Sequence, residues 1–183
     1  MTMLEWIAAA LVLANVALVA RRSLWNYPFG IAAVSVYAVI FQEQKLYSDM
    51  LLQGFFLIPN VYGWANWRAA RQDDGVPVGW MSERDRVLWG GAILLCWLAW
   101  SSGMARWTDA AAPFADGAVA IISVAAQWLL ARRRVESWWL WIAVDAIAVP
   151  LFASRGLYVT AGVYAVLLVI AVAGLMQWRR AAA

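Results

Sequence analysis

The sequence predicts an all-α integral membrane protein with seven transmembrane helices. Three observations carry that prediction. Hydrophobic residues make up 65% of the chain and charged residues only 14%, against about 45–50% and about 25% in soluble domains. The apolar stretches are long and continuous rather than alternating, which favours helices over a β-barrel. The basic residues stand in short clusters between those stretches, where membrane topology accounts for them and a nucleic-acid partner is not needed. Composition also narrows the chemistry. With no histidine and one cysteine, Cys96, a zinc site, a histidine base and an intrachain disulfide are not expected. No cofactor is called for.

The elements follow in order. Residues 3–20 form the first span. Only Glu5 precedes its core, and Arg21 and Arg22 follow it, so it lacks the basic leader of a signal peptide and is expected to be retained. Residues 23–42 form an uncharged second span, with Pro28 in its first turns, where proline is tolerated. The third span is 50–67, after Asp49. Residues 68–86 are the longest loop, with Gln72, Asp73, Asp74, Gly75 and Pro77. The fourth span is 87–104. The fifth, 110–131, carries Asp116 near its start. The sixth is 137–154 and the seventh 156–178. Each is close to the ~20 residues needed to cross the hydrocarbon core.

The charges orient these spans. Arg21, Arg22, Arg68, Arg71, Arg84, Arg86, Arg132, Arg133, Arg134, Arg179 and Arg180 fall on one side. Lys45, Arg106 and Arg155 fall on the other. The richer side belongs in the cytoplasm, which puts the N-terminus outside and the C-terminus inside.

An ungapped offset of 111 residues (131 minus 20) overlays the chain on itself. Ala20-Arg21-Arg22 falls on Ala131-Arg132-Arg133, Leu46-Tyr47 on Leu157-Tyr158, Gly63 on Gly174, and Trp67-Arg68 on Trp178-Arg179. Spans one to three thus mirror spans five to seven, with span four as connector. The expected units are residues 1–68, a loop and linker helix over 69–109, and residues 110–183. An even offset of four spans keeps both halves in the same orientation. Parallel repeats of this kind occur in transporters of the SWEET type, with substrate held at the repeat interface near the midplane.

The polar residues inside the apolar runs are the candidates for a site. Asp145 lies near the centre of span six, where a carboxylate costs about 2.5–3.5 kcal/mol on insertion scales and marks a functional position by default. Trp138 and Trp141 precede it by seven and four residues, on one helical face. Pro150, five residues on, removes a helix hydrogen bond. In span three, Gln53, Asn60, Trp64 and Trp67 share a face, and Pro59 frees a carbonyl beside it. Further inward candidates are Ser35 and Tyr37, Ser123 and Gln127, and Tyr164. Five tryptophans near span ends, Trp25, Trp64, Trp67, Trp107 and Trp178, are expected to form an interfacial aromatic belt. The site residues expected to bind substrate are Asp145, Trp141, Trp138, Asn60, Gln53, Trp64, Gln127 and Tyr164, with Pro59 and Pro150 as flexible points. Aromatic faces suit a flat ligand, and an ionised Asp145 would add complementarity to positive charge. The preferred ligand is small, flat and hydrogen-bonding, and a cation fits.

Residues 25–67, WNYPFGIAAVSVYAVIFQEQKLYSDMLLQGFFLIPNVYGWANW, resemble the first half of the PnuC family of bacterial vitamin transporters. Residues 113–178 resemble its second half, including ExWxxWxxxD from Glu136 to Asp145 and the GLY at 156–158. The resemblance implies two parallel three-helix bundles joined by the fourth helix. It implies facilitated diffusion of nicotinamide riboside across the inner membrane by alternating access. A cytoplasmic kinase would drive uptake by phosphorylating the substrate. Relatives in that family carry thiamine, riboflavin or deoxynucleosides, and some have Asn at the position of Asp145; an acid suits the thiamine cation equally well. The partners expected are therefore a small-molecule substrate and the lipid bilayer, with no nucleic acid; a homo-oligomer is compatible with the sequence. Two other classes fare worse. An intramembrane enzyme would need Asp49 or Asp116 beside Asp145, and both are expected at the outer helix ends. A retinal-type receptor needs a lysine in its last span, and span seven has none.

Overall fold

In the computed structural model, the residues described are 3–43, 47–71, 76–107, 112–154, 156 and 158–182. Lys45, Arg155, residues 72–75 of the long loop and the side chain of Asp49 lie outside them. Among the described residues the chain forms seven α-helices: α1 Met3–Ala20, α2 Asn26–Glu43, α3 Tyr47–Ala70, α4 Glu83–Trp107, α5 Pro113–Ala131, α6 Glu136–Ser154 and α7 Tyr158–Ala181. Each coincides with an expected span to within a few residues. Helices α4 to α7 are long and apolar enough by themselves to cross a membrane. In α1 and α2 the apolar stretches are Trp6–Ala20 and Asn26–Ile40. The protein is a multi-pass helical membrane protein.

Local chemistry sets the helix ends. Pro113 opens α5, where its missing N–H is harmless. Ser82 caps α4: its Oγ accepts from the backbone N–H of Asp85 at 3.1 Å. The ends of α1 and α5 are built alike. After α1, the N–H of Arg22 bonds the carbonyl of Val19 and that of Ser23 the carbonyl of Leu18, at 2.8 and 3.0 Å. After α5, Arg133 bonds Leu130 and Arg134 bonds Leu129, both at 2.9 Å. This is the Schellman pattern, whose left-handed residue is usually glycine. Here it is Arg22, with φ of 55°, and Arg133, with φ of 62°. A side chain in that region raises the energy by about 1–2 kcal/mol, so something else must favour arginine there.

Packing follows the chain around a ring. Helix α2 lies between α1 and α3, and α6 between α5 and α7. With α1–α3 and α5–α7 labelled as two triplets, the ring closes along two seams between them, α1 against α7 and α3 against α5. Helix α4 packs on α5 outside that ring, with Ser101 its buried anchor beside Gly117.

The 111-residue offset recurs in the side-chain contacts. Tyr27 lies over Gly63, and its equivalent Trp138 lies over Gly174. Trp67 donates its indole N–H to the carbonyl of Leu130 at 3.3 Å, and its equivalent Trp178 donates to that of Val19 at 3.2 Å. Residues 19 and 130 are themselves related by the offset, so each triplet's last helix bonds the end of the other's first. Tyr27, Trp67, Trp178 and Trp138 form a continuous aromatic chain, with neighbouring ring centroids 5.4, 5.6 and 5.5 Å apart. With Val19, Val76, Leu130, Val135, Ala171 and Leu175 this is the main core, and it lies at the arginine-rich end of the bundle. The expectation that Trp67 and Trp178 belong to an interfacial belt is therefore corrected. Both are fully buried, because each indole satisfies its N–H on a carbonyl across a seam. Trp25, Trp64 and Trp107 are exposed, as a belt requires.

Candidate functional site

Asp145 is the central residue of α6, nine positions from either end of Glu136–Ser154. It is 2% exposed. Among the described residues, no basic side chain or amide is bonded to its carboxylate. A buried carboxylate without a cation is held in place only by a strong structural or functional requirement. Tyr164 of α7 lies within electrostatic reach of both Asp145 and Tyr37 of α2. The Tyr164 ring stacks on Phe152 with centroids 5.2 Å apart, and that contact holds it on the α6 side. Tyr37 is engaged as well.

The other expected site residues divide. Trp141 is half-buried and packs against the edge of the aromatic core, next toward Asp145. Trp138 is fully buried in that core, edge-on to Trp178. No face of its ring is open to a ligand in this conformation, which corrects its place as a stacking surface. Trp64 is 40% exposed, off the buried face that α3 makes from Pro59, Asn60, Gly63 and Trp67; it stands apart from the others. Gln53 and Gln127 are half-buried on α3 and α5. Ser123 is buried, whereas Ser35 is exposed and bonds its own helix at Ile31.

Asn60 is buried and engaged in packing. Its Nδ2 donates to the carbonyl of Phe56 at 2.9 Å. Its Oδ1 lies so close to Gly30 that a Cβ there would come within 2.6 Å. The same Cβ would meet Nδ2 of Asn15 at 2.8 Å. Asn15 in turn donates to the backbone carbonyl of Asn26 at 2.6 Å. Asn15 was missed by the sequence analysis, although a lone amide in the apolar run of α1 is the same signal that singled out Asn60. Pro59 is buried and Pro150 exposed, and both sit inside helices that run through without interruption.

The offset exposes the site's asymmetry. Under the offset Gly30, Asn15 and Asn60 correspond to Trp141, Ala126 and Ala171. One triplet carries two amides and a glycine at these positions, and the other one indole and two alanines. Asp145 corresponds to Val34, and Tyr164 to Gln53. A cavity of about 480 Å³ lies elsewhere, lined by Arg21, Arg22, Gln177, Arg180 and Ala181. Its arginines face the carboxyl ends of α1 and α7, where positive charge complements the helix dipoles.

A family model described as nicotinamide mononucleotide transporter matches residues 2–180. The chain belongs to that family. It is 26% identical over 204 residues to the nicotinamide riboside transporter PnuC of Escherichia coli, covering 96% of this chain and 85% of the relative. A second relative, the nicotinamide riboside transporter PnuC of Neisseria mucosa, is 29% identical over 163 residues, or 81% of this chain and 60% of the relative. The crystal structure of the vitamin B3 transporter PnuC superposes with a TM-score of 0.79 at 26% identity, over 97% of this chain and 80% of the solved one. The family and these relatives are membrane transporters, not enzymes, and the resemblance seen in the sequence motifs is borne out.

Proposed function

We propose that this protein carries nicotinamide riboside into the bacterial cell by facilitated diffusion. The single observation that carries the proposal is Asp145. It is a buried carboxylate at the middle of a membrane-spanning helix, with no protein cation beside it among the described residues. Nicotinamide riboside is flat, bears an amide and carries a positive charge, so it supplies the missing counter-charge. Relatives named as nicotinamide riboside transporters support the same substrate. Tyr164 supplies a hydroxyl within electrostatic reach of the carboxylate and of Tyr37, and Trp141, Gln127 and Gln53 are the remaining candidates for the ring and amide. Asn60 acts by shaping the first triplet around Gly30.

In this proposal α1–α3 and α5–α7 are parallel three-helix bundles joined by α4, in the SWEET manner, with units at residues 1–68, 69–109 and 110–183. They rock about the midplane, with Pro59 and Pro150 as the points of give. The arginine-rich end faces the cytoplasm, leaving the N-terminus outside. Phosphorylation by a cytoplasmic kinase keeps the internal concentration of free substrate low and makes uptake run inward.

Uptake into proteoliposomes tests this. Labelled nicotinamide riboside should enter down its gradient, and excess unlabelled nicotinamide riboside should compete. Competition by thiamine or riboflavin, with none by nicotinamide riboside, would keep the transport mechanism and replace the substrate. No saturable entry of any of the three would sink the proposal.

A further inference from the structure

We propose that residues 76–82 form the inner gate of the transport path. They make a strap across the arginine-rich end, and the hydrogen bond from Arg22 to Val76, the one toward α1–α3 among the described residues, is the latch that parts. The inference deepens the transport proposal and rests on it.

The strap touches both triplets, and it touches them unequally. Toward α5–α7 it is bound at four residues, Pro77, Gly79, Trp80 and Met81. Nη1 of Arg133 donates to the carbonyl of Pro77 at 3.2 Å. Gly79 makes a short parallel bridge, its N–H bonded to the carbonyl of Arg133 and its carbonyl to the N–H of Val135, both at 3.1 Å. Nη1 of Arg134 donates to the carbonyl of Trp80 at 3.1 Å. Oε1 of Glu136 accepts from the N–H of Met81 at 3.0 Å and from Arg86 at the start of α4 at 2.7 Å. Toward α1–α3, one hydrogen bond is made among the described residues: Nη1 of Arg22 donates to the carbonyl of Val76, at 3.3 Å. The strap therefore moves with α5–α7, and a rocking motion strains it at Arg22.

Two further features point to a gate rather than an ordinary loop. Val76 is fully buried in the aromatic core that joins the triplets, so the strap plugs the end it crosses. Arg22 and Arg133 both hold the left-handed position that usually falls to glycine. Strained residues of this kind persist where the surroundings or the function require them. Here the requirement is visible: equivalent arginines, one from each triplet, reach consecutive carbonyls of one strap. Opening this end also means parting the Trp178–Val19 and Trp67–Leu130 bonds across the two seams. The seated strap ties Arg22, at the end of α1, to Arg133, at the end of α5, beside those seams.

The test uses the full chain in inside-out vesicles, with Cys96→Ser and Val76→Cys, and a membrane-impermeant maleimide as probe. Arg22→Gly removes the latch and relieves the strained backbone, so folding is not threatened. It is expected to raise the labelling rate of position 76 about ten-fold or more. Arg133→Gly should raise it far less, because the other bonds to residues 133–136 remain. Equal effects of the two substitutions, or none, would overturn the proposal. A second arm joins Arg22→Cys to Val76→Cys with a short bis-maleimide. The linked protein should still bind nicotinamide riboside from outside but lose uptake. Uptake surviving the link, or a pair that does not link, would also overturn the gate. Loss of binding in the unlinked parent would instead strike the transport proposal, which keeps the two failures apart.

Discussion

The two triplets agree at one end and differ in the middle. At the arginine-rich end their equivalent residues do the same work: Tyr27 and Trp138 cover Gly63 and Gly174, and Trp67 and Trp178 bond Leu130 and Val19 across the seams. At the level of Asp145 the correspondence fails. Valine stands opposite the acid, glycine opposite Trp141, and glutamine opposite Tyr164. The contrast separates what closes the bundle from what recognises the ligand. A closure made by two like bodies meeting about an axis works best with like surfaces. A ligand with one cationic ring and one sugar has no such symmetry, and a site that fits it must break the repeat.

That division can be broken experimentally, and the largest effect should come from its most asymmetric residue. Asp145→Asn removes the counter-charge while keeping the shape. The loss of one charge-assisted contact, about 1.5–3 kcal/mol, should weaken substrate affinity roughly ten- to a hundred-fold in an uptake competition assay. A matching Val34→Asp in the same variant should not restore it, because the first triplet has Gln53 and Gly30 where the second has Tyr164 and Trp141. If it did restore uptake, the site would be symmetric and the comparison wrong.

Next come the glycines of the symmetric end. A Cβ on Gly174 would meet the Trp138 ring at 2.5 Å, and one on Gly63 would meet the Tyr27 hydroxyl at 2.6 Å. Overpacking of this kind destabilises by about 1–3 kcal/mol. Gly63→Ala and Gly174→Ala should therefore lower the thermal unfolding temperature by similar amounts, with affinity changed little in the protein that still folds. A loss confined to one of the two would show that the halves are not packed alike.

Gly30→Ala sharpens the line between the regions. It displaces Asn60 and Asn15, and so should reduce ligand affinity more than its effect on unfolding temperature alone would suggest. An unchanged affinity would assign the amides to packing only. The smallest effects belong to the seams. Trp67→Phe and Trp178→Phe each remove one indole hydrogen bond, about 0.5–1.5 kcal/mol, and should shift unfolding equally.

Much of this was legible in the sequence. The helices follow from the length of the apolar runs, and the repeat from Tyr, Trp, Gly and Arg matches at one offset. Asp145 stood out because a carboxylate amid apolar residues is costly, and the bland alternative is a structural pair with a buried amide. The tryptophans were harder. Trp64, Trp67 and Trp178 look alike in sequence, each near a span end, yet one is exposed and two are buried. What decides is the carbonyl each indole can reach, and that carbonyl lies more than sixty residues away in the chain for Trp67 and Trp178. Trp138 was misplaced for the same reason: its burial depends on Gly174 lying beneath it, a contact between helices. The strap was visible only as a polar loop, since nothing in its sequence states that Val76 turns inward.

The measurement that tests the account most directly is a titration of intrinsic tryptophan fluorescence with nicotinamide riboside, comparing the parent protein with Asp145→Asn and Gly174→Ala. The account predicts saturable quenching in the parent, quenching shifted to much higher ligand concentration in Asp145→Asn at unchanged unfolding temperature, and near-parental affinity in folded Gly174→Ala. Identical titrations for the parent and Asp145→Asn would contradict it.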